Sequence, residues 1–396
     1  MDWKKFELGY RLDIGCLFDQ LVEIEAYKEA ALNLLLPPEW KTQLDRLNRI
    51  RVVHGTTALE GNPLSTAEVG NQLAAIDKPV EDIKTRITKE QRQIRNAGIA
   101  QNWIRKRFAP GSAPLDLNDI FRMHEMITIQ SDQDHNIPGR FRTFEVHVGS
   151  PELGGVHYGA PAKKLNGLMD QFIVFVNSKK IAAQHPVVRA LLAHFFLVTI
   201  HPFGDGNGRV SRLVEAGILF QGGYNVHGFY GLSNYFYLNK DRYMTLLEES
   251  RRGTPFEVTA FIRFGVEGFA FELKGINNFI KTKLNRVVYQ NMLIGAFNQR
   301  VGERRRLLNQ REYNLLHFLI TESEPSDPFS DSPSRKITLT ELGKSKFIKA
   351  AYANFTPRTF ARELERLKEL GFITLNRDQE AGGMVLELDF EAISKY

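Results

Sequence analysis

Apolar residues occupy nearly every position of HPVVRALLAHFFLVTI, residues 185–200, so no face of this stretch is polar. A helix that is apolar all round is buried on every side. Helical spacing resumes in VSRLVEAGILF and ends at Gly222-Gly223, a pair that stops helices. The pattern therefore predicts two core helices joined by a short loop, HPFGDGNGR, at residues 201–209.

The N-terminal part of the chain shows helical spacing with charged faces. Prolines interrupt this spacing in LPPEW, residues 36–40, so we expect one helix before the break and another after it. Gly61 is placed to end the second helix, and Ser65 with Glu68 forms a capping box that starts the next. A long charged helix over 80–108 and a short one over 117–128 follow.

From residue 140 to residue 158 the pattern changes, because RFRTFEVHVGSPELGGVHY alternates apolar and polar residues around a Pro/Gly turn. Alternation with a central turn predicts a β-hairpin. His147 and His157 lie on its two arms, and we expect both to face solvent rather than hold a metal. Helical spacing returns from 162 to about 290.

The last ninety or so residues form a separate pattern. The Ser/Pro/Asp-rich segment 321–336 predicts a loop, ITLTELGKSK and TPRTFARELERLKELGFI predict two helices, and two strands are expected around Gly382-Gly383. Helix, helix and hairpin is the order of a winged helix. We therefore predict a mainly α protein with a helical N-terminal region (1–110), a core (111–290) and a C-terminal winged-helix domain (300–396).

Composition changes this interpretation little. The single cysteine, Cys16, forms no intrachain disulfide, and no apolar run reaches the ~18 residues of a membrane span. We expect a soluble, cytoplasmic protein without a membrane contact. The formal net charge of +6 is compatible with a polyanionic ligand but identifies none.

The loop at 201–209 combines groups that phosphoryl or nucleotidyl transfer requires. Gly204, Gly206 and Gly208 allow positive φ, so that backbone N–H groups can converge on an anion at the start of the next helix. Arg209 and Arg212 follow at a spacing that lets planar donors reach further phosphates. Each residue alone is more often a turn former or a helix cap.

Two further side chains of the loop carry specific chemistry. Asp205 supplies the hard oxygen that Mg²⁺ prefers, and His201 is placed to accept a proton from an incoming hydroxyl. Nine residues thus hold a candidate base, a candidate metal ligand and an anion cradle.

The segment HPFGDGNGRVSR resembles the signature of the Fic family, His-x-Phe-x-Asp/Glu-Gly-Asn-Gly-Arg-x-x-Arg, at every defining position. The resemblance implies a helical Fic core with a β-hairpin flap, ATP and Mg²⁺ as substrate and metal, and transfer of AMP to a Ser, Thr or Tyr hydroxyl of a target protein. It implies His201 as the general base and Asp205 as the Mg²⁺ ligand. The implied phosphate ligands are Gly206, Asn207 and Gly208 for the α-phosphate, Arg209 for the β-phosphate and Arg212 for the γ-phosphate, and Gly204 is a further nucleotide-binding residue.

The upstream segment TTALEG, residues 56–61, is similar to the inhibitory pattern Ser/Thr-x-x-x-Glu-Gly/Asn of this family, with Thr56, Glu60 and Gly61 in the defining places. The resemblance implies that Glu60 pairs with Arg212 and keeps the γ-phosphate from binding productively. The same glutamate would orient a water for removal of AMP in some relatives, and the sequence leaves that open. An exposed charge near a helix end is the plainer alternative.

The family also implies a target-docking role for the hairpin, with Val148 and Gly149 closest to the nucleotide and strand pairing with the target. Tyr235 and Tyr243 are the expected adenine contacts. Self-modification and a homodimer follow from the same resemblance.

Two alternatives to AMP transfer remain. One is a DNA-binding regulator, in which the winged helix uses Arg358, Arg362 and Arg366 and the Fic core senses nucleotide. Residues 304–396 carry 15 Lys and Arg against 14 Asp and Glu, a net charge of +1, which is weak for a DNA binder. The other is a Fic variant that transfers a different group.

Overall fold

The computed structural model describes residue 3 and residues 6–76, 87–131, 135–150, 155–224, 231–253, 255–301, 305–379 and 381–396. Helices dominate this part of the chain, which confirms the mainly α fold class. The chain divides into two compact units, Met1–Leu273 and Lys274–Tyr396, and the division falls within one long helix.

The first unit contains eleven complete α-helices, the start of a twelfth and four short strands among its described residues. In chain order they are β1 Tyr10–Arg11, α1 Phe18–Leu32, α2 Pro38–Ala58, α3 Thr66–Ile76, α4 Lys89–Arg107, α5 Leu117–Thr128, β2 His147–Ser150, β3 Gly155–Tyr158, α6 Leu165–Asn177, α7 Lys179–Ala182, α8 Pro186–Ile200, α9 Asn207–Gln221, α10 Ser233–Leu238, α11 Lys240–Ser250, β4 Phe256–Glu257 and α12 Thr259–Asn298.

The proline break and the capping signals act as the sequence predicts. Pro38 occupies the first turn of α2, where its missing N–H costs nothing. Gly61, at φ 88°, lies beyond the end of α2, and Ser65 and Glu68 exchange hydrogen bonds at the start of α3. Of the predicted helix over 80–108, residues 80–86 lie outside the described residues, and α4 begins at Lys89.

Helices α8 and α9 form the centre of the first unit, and their mutual contact is the most extensive between helices of the described chain. From Val187 to Ile200 every residue of α8 except Arg189 is buried, as the all-round apolar pattern predicts. Helices α4 and α5 pack on α9, and helix α6 packs on α8. The loop between α8 and α9 is therefore mounted on the most deeply buried helices of the unit.

Two small sheets complete the first unit. Strands β2 and β3 pair antiparallel, with Val148 opposite His157 and Gly149 opposite Val156, so they form the predicted hairpin, whose residues 151–154 lie outside the described residues. Strands β1 and β4 form one short parallel pair.

The second unit has its own hydrophobic core, which includes Tyr289, Leu319 and Leu386. After the end of α12 its elements are β5 Arg300–Val301, β6 Arg305–Arg306, α13 Gln310–Glu322, β7 Ile337–Thr338, α14 Leu339–Lys344, α15 Lys346–Ala351, α16 Pro357–Glu369, β8 Ile373–Asp378, β9 Gly383–Leu388 and α17 Ala392–Lys395. Strands β7, β9 and β8 form a three-stranded antiparallel sheet in that order.

The segment ITLTELGKSK differs from the single helix that we predicted. Ile337 and Thr338 form strand β7, because they pair with Leu386 and Val385 of β9, and the Thr338 side chain then caps α14. A further short helix, α15, starts at a second cap, Ser345. A winged helix stays a prediction for this unit.

No helix in the described ranges is long and apolar enough to cross a membrane.

Candidate active site

The loop between α8 and α9 begins with a residue in an unusual backbone conformation. His201 ends α8 with φ 55° and ψ 61°, a left-handed conformation that few residues other than glycine adopt. Arg142 holds this turn, since its Nε donates to the His201 carbonyl at 2.9 Å and its Nη1 to the Phe144 carbonyl at 2.6 Å. Its Nη2 donates to the Ala160 carbonyl. One buried guanidinium thus ties the loop to the segments on both sides of the hairpin.

The loop is closed by Asn207, whose side-chain amide accepts from the Phe203 N–H and donates to the Phe203 carbonyl, both at 2.9 Å. Of the three loop glycines, only Gly206 has a positive φ, 79°; the prediction that Gly204 and Gly208 do so as well was wrong. Those two glycines supply space instead. A Cβ at Gly204 would lie 3.0 Å from Phe144, and one at Gly208 only 2.5 Å from Glu60 Oε1.

His201 is held in one tautomer. Its Nδ1 lies 3.2 Å from the Val198 carbonyl, which can only accept, so Nδ1 carries the proton and Nε2 carries the lone pair. The pKa of His201 is lowered to about 4, chiefly by burial and also by the charges of Arg251 and Arg142, which together outweigh the raising effects of the Val198 bond and Glu60. The ring is therefore a neutral base at physiological pH.

Arg212, on the first turns of α9, is bound by two residues of the predicted inhibitory segment. Its Nε donates to Thr56 Oγ1 at 2.8 Å, and its Nη2 donates to the Thr56 carbonyl at 3.1 Å and to Glu60 Oε1 at 2.6 Å. The side chain of Arg212 is 3% exposed and that of Glu60 is 34% exposed. The pair thus joins a buried cation to a carboxylate that still reaches solvent.

Glu60 lies where an anion is favoured. Desolvation alone would raise the pKa of Glu60, but the charges of Arg212 and Arg209 outweigh it and the net effect is a lowered pKa. Its Oε1 also stands over Gly208, in the first turn of α9, where free N–H groups and the helix dipole attract negative charge. The Glu60 carboxylate occupies the type of position that a phosphate oxygen takes at a helix start.

Helix α2 itself is packed tightly beneath Glu60. A Cβ at Gly55 would lie 2.5 Å from the Ser233 carbonyl and 2.7 Å from the Asn234 nitrogen, so the backbones of α2 and α10 touch there. Only glycine fits this contact.

A cavity of about 390 Å³ adjoins the His201 ring and the Glu60–Arg212 pair. Its size is in the range of small-molecule sites. Seven of the sequence-predicted residues line it: Glu60, Val148, Gly149, His201, Gly208, Arg212 and Tyr243. Residues that sequence reasoning did not assign also line it, chiefly Lys240, Met244, Glu248 and Arg251.

Two of the predicted residues are turned away from this cavity. Arg209 is 4% exposed, its Nη2 donates to Asp205 Oδ1 at 3.2 Å, and it lines a smaller neighbouring cavity with Gln101. Tyr235 packs against Phe264 and Phe271. Six other predicted residues do not line this cavity: Thr56 and Gly61 of the inhibitory segment, and Gly204, Asp205, Gly206 and Asn207 of the loop.

Asp205 keeps one carboxylate oxygen for a ligand. Oδ1 accepts from the Gly206 N–H at 2.6 Å and from Arg209, whereas none of the described residues donates to Oδ2. The described residues contain no group of three or more His, Cys, Asp or Glu side chains arranged to hold a metal. One carboxylate together with substrate phosphates and water is nevertheless the usual way in which proteins bind Mg²⁺.

His157, which we expected to face solvent, is buried instead. Its Nε2 lies 2.7 Å from the Thr199 carbonyl at the end of α8, and burial lowers its pKa to about 3. The His157 ring therefore anchors β3 to the helix that leads into His201. The alternating pattern of the hairpin predicted an exposed His157, and this prediction was wrong because the contact with α8 buries the ring. His147 is on the other arm, opposite Tyr158.

Besides Arg142, sequence reasoning missed two further side chains that shape the loop. His124 stacks on Phe203 at 3.8 Å between ring centroids, accepts from the Gly139 N–H at Nδ1 and donates to the Asp205 carbonyl at Nε2. Arg251 donates to the Val198 carbonyl and to Thr199, just before His201. Neither belongs to a recognisable motif, and only the fold brings them to the loop.

Comparison with known proteins agrees with this geometry. The sequence profile described as Fic/DOC family matches residues 114–219, which contain the hairpin, α8, the loop and most of α9. Residues 114–219 therefore correspond to a Fic domain. Over this range the match confirms the family that the motif at 201–212 predicted.

Relatives of the Fic domain include the protein adenylyltransferase Fic of Aedes aegypti, which is 32% identical over 178 residues, and that of Drosophila ananassae, 31% identical over 175 residues. These alignments cover 44% and 43% of this chain, and the chain spans about a third of the length of these curated relatives, 33% and 32%.

Two solved structures share the fold. A Fic family protein from Desulfovibrio desulfuricans G20 superposes with a TM-score of 0.53 at 17% identity and covers 97% of this chain and 98% of its own. Fic-1 from C. elegans gives 0.55 at 21% identity and covers 68% and 74%.

Proposed function

We propose that this chain is a protein adenylyltransferase that transfers AMP from ATP to a hydroxyl group of a target protein. The arrangement that supports this most directly is the neutral His201 ring beside the helix start at Gly208, both on one cavity with Arg212. Relatives named protein adenylyltransferase over the Fic domain support the same reaction.

The chemistry assigned to the residues follows from their positions. The target hydroxyl gives its proton to His201 Nε2 while its oxygen forms a bond to the α-phosphorus. The bond between the α-phosphorus and the bridging oxygen to the β-phosphate breaks, and pyrophosphate leaves. The N–H groups at Asn207 and Gly208 would hold the α-phosphate at the helix start, where the dipole favours negative charge, and the Gly206 N–H would join them only after leaving its bond with Asp205 Oδ1.

The remaining phosphates fall to the positive side chains. Arg212 would hold the γ-phosphate, and Arg209 would reach the β-phosphate only after leaving its bond with Asp205. Asp205 Oδ2 would hold Mg²⁺, which when bound supplies charge neutralisation to the phosphates. Val148 and Gly149, on the cavity side of β2, would align the target chain through the strand edge.

Autoinhibition is part of this proposal. Glu60 occupies the Arg212 guanidinium at 2.6 Å, and a γ-phosphate competes for the same donors. ATP would then bind in a register in which the α-phosphorus is not aligned with the attacking hydroxyl. In a second role, the same Glu60 carboxylate would orient a water molecule for the removal of AMP from a target.

The test is incubation of the Glu60→Gly protein with α-labelled ATP and Mg²⁺, followed by mass spectrometry of the protein itself and of candidate targets. A covalent AMP adduct that disappears in the Glu60→Gly, His201→Ala double variant supports the proposal. An adduct that survives loss of His201, or no adduct on the protein or on any target while ATP binds, refutes it.

A further inference from the structure

The last turn of α8 contains a carbonyl group that has no partner within the helix. The Val198 carbonyl would accept the N–H of residue 202 in a regular α-helix, but this residue is Pro202, which has no N–H. Two side chains take its place. His201 Nδ1 donates to the Val198 carbonyl at 3.2 Å, and Arg251 Nη2 donates to it at 3.4 Å. The candidate base and Arg251 therefore share one acceptor.

Further contacts hold Arg251 against the end of α8. Its Nε donates to Thr199 Oγ1 at 3.3 Å, and its Nη1 donates to Glu248 Oε2, in the last turn of α11, at 3.2 Å. The side chain of Arg251 is 8% exposed and that of Glu248 is 18% exposed. All three nitrogens of the guanidinium are thus bonded, and its position next to α8 is fixed.

The end of a helix affects the charge of a histidine placed there. The last carbonyl groups of a helix carry partial negative charge, which favours the protonated form of a histidine. His201 directly follows α8, so this helix end favours an imidazolium, which has no lone pair to accept a proton. The positive charge of Arg251, on the carbonyl that the ring itself uses, opposes this effect.

Charged side chains from several elements act on the His201 ring. Arg142 donates to the His201 carbonyl and, like Arg251, disfavours a second positive charge, whereas Glu60 acts in the opposite direction. His157 of β3 is neutral, because burial lowers its pKa to about 3. Arg142 holds the backbone of the loop, so Arg251 is the cation whose contact lies on the side of the ring nitrogen Nδ1.

We propose that Arg251 is a positioning residue that neutralises the C-terminal end of α8 and keeps the His201 ring uncharged, with its proton on Nδ1 and its lone pair on Nε2. The inference rests on the proposed function only for the use of this lone pair as the base. The charge of the ring itself can be measured without ATP or a target protein.

The experiment is an NMR titration of the His201 ring in the full chain with isotope-labelled histidine, in which His201→Asn identifies the signal. Arg251→Met removes the charge and keeps most of the length of the side chain. It should raise the pKa of His201 from about 4 to about 5, because a like charge is lost. Near pH 4.5 the ring should then be about three-quarters protonated, against about a quarter in the wild type.

Two further substitutions separate the charge of Arg251 from its hydrogen bonds. Arg251→Lys keeps the positive charge and should keep the pKa of His201 near 4, whereas Arg251→Gln keeps an N–H donor without the charge and should raise the pKa as Arg251→Met does. Arg251→Gln also replaces the methionine variant if far-UV circular dichroism shows that the latter is unfolded.

Two controls exclude indirect causes. Arg252→Met removes the same charge from an exposed neighbouring side chain and should leave the pKa of His201 unchanged. When Glu248→Gln is combined with Arg251→Met, the carboxylate that has lost its partner is removed as well, and the rise in the pKa of His201 should persist.

The inference fails if the wild-type ring titrates near its ordinary pKa of about 6.5, if Arg251→Met leaves the pKa unchanged, or if Arg251→Lys raises it as much as Arg251→Met. The acid limb of kcat/KM, measured in the Glu60→Gly background, tests the proposed function separately. If the pKa of the ring and the acid limb rise together in Arg251→Met, both hold. If only the pKa of the ring rises, the inference holds and His201 is not the base.

Discussion

Removal of the Glu60 carboxylate is the most informative perturbation of this protein. In Glu60→Gly the guanidinium of Arg212 loses a partner at 2.6 Å, and the space above Gly208 opens. We expect the rate of AMP incorporation to rise while the free energy of unfolding falls, because the contact that would block the phosphates under the proposed autoinhibition also stabilises the end of α2.

The size of both effects follows from the geometry. Hydrogen bonds between charged groups contribute about 1.5–3 kcal/mol, and the 34% exposure of the Glu60 side chain places this pair at the lower end, about 1.5 kcal/mol. Since 1.4 kcal/mol corresponds to a factor of ten, productive ATP binding should improve about tenfold. The unfolding free energy should fall by about 1 kcal/mol, because Arg212 keeps its bonds to Thr56.

The assay is the initial rate of AMP incorporation over a range of ATP concentrations, together with urea unfolding. Glu60→Gln keeps the size of the side chain without its charge, so its rate should lie between those of wild type and Glu60→Gly. Glu29→Gly, at an exposed position inside α1, costs a similar ~1 kcal/mol of stability through helix propensity and leaves the cavity intact.

Equal rates for wild type and Glu60→Gly at every ATP concentration would refute the reasoning. So would an equal rise in Glu29→Gly, because general loosening of the first unit would then be the cause.

Three further predictions concern the catalytic ring, the loop and the second unit. In the Glu60→Gly protein, kcat/KM should stay level from pH 8 to about 6 and fall as pH approaches the lowered pKa of His201, about 4, because the base must be unprotonated; a pH–rate profile with an inflection near 6.5 would contradict this. Arg142→Met should lower the unfolding free energy by about 2–4 kcal/mol in urea, since three carbonyl groups lose their donor, and Arg142→Lys should recover part of it. Arg366→Ala should cost about 3 kcal/mol by thermal unfolding because Glu312, 1% exposed, loses its partner at 2.5 Å, whereas Arg358→Ala should cost little; equal losses would show that the Arg366 pair is not structural.

One of the three arginines on which the DNA-binding alternative depends, Arg366, forms an internal ion pair. Arg366 is committed to Glu312 and to the Leu307 carbonyl within the second unit. The periodicity of arginines on α16 therefore reflects internal pairing at that position, which a sequence pattern cannot distinguish from a nucleic-acid contact.

The central helices and the loop were predictable because their signals are local. An apolar stretch fixes α8, and the glycines mark a turn whatever the rest of the chain does. The roles of individual glycines were not predictable. Gly208 must be small because Glu60, almost 150 positions earlier, lies against it, and such a contact leaves no trace in local spacing.

The cavity wall shows the same limit. Arg251 and Tyr235 stand in adjoining segments that both read as helical, yet the structure brings only Arg251 to the cavity. His157 lies in an alternating pattern that is typical of an exposed hairpin. It is buried instead, because its ring contacts the Thr199 carbonyl at the end of α8. Which side of a helix or hairpin meets the site is decided by distant packing, which sequence periodicity does not encode.

The contact of Gly55 with α10 determines how the cavity can open. Where two backbones touch, withdrawing the whole of α2 would tear apart an extended interface, whereas the Glu60 side chain, beyond the last turn, can swing aside by rotating its own bonds. Under the proposed autoinhibition, an activating ligand would have to outcompete a single carboxylate and would not need to displace a helix. Such a release would need only rotamer exchange of one side chain, which is fast and reversible, and it would leave the surrounding helices in place.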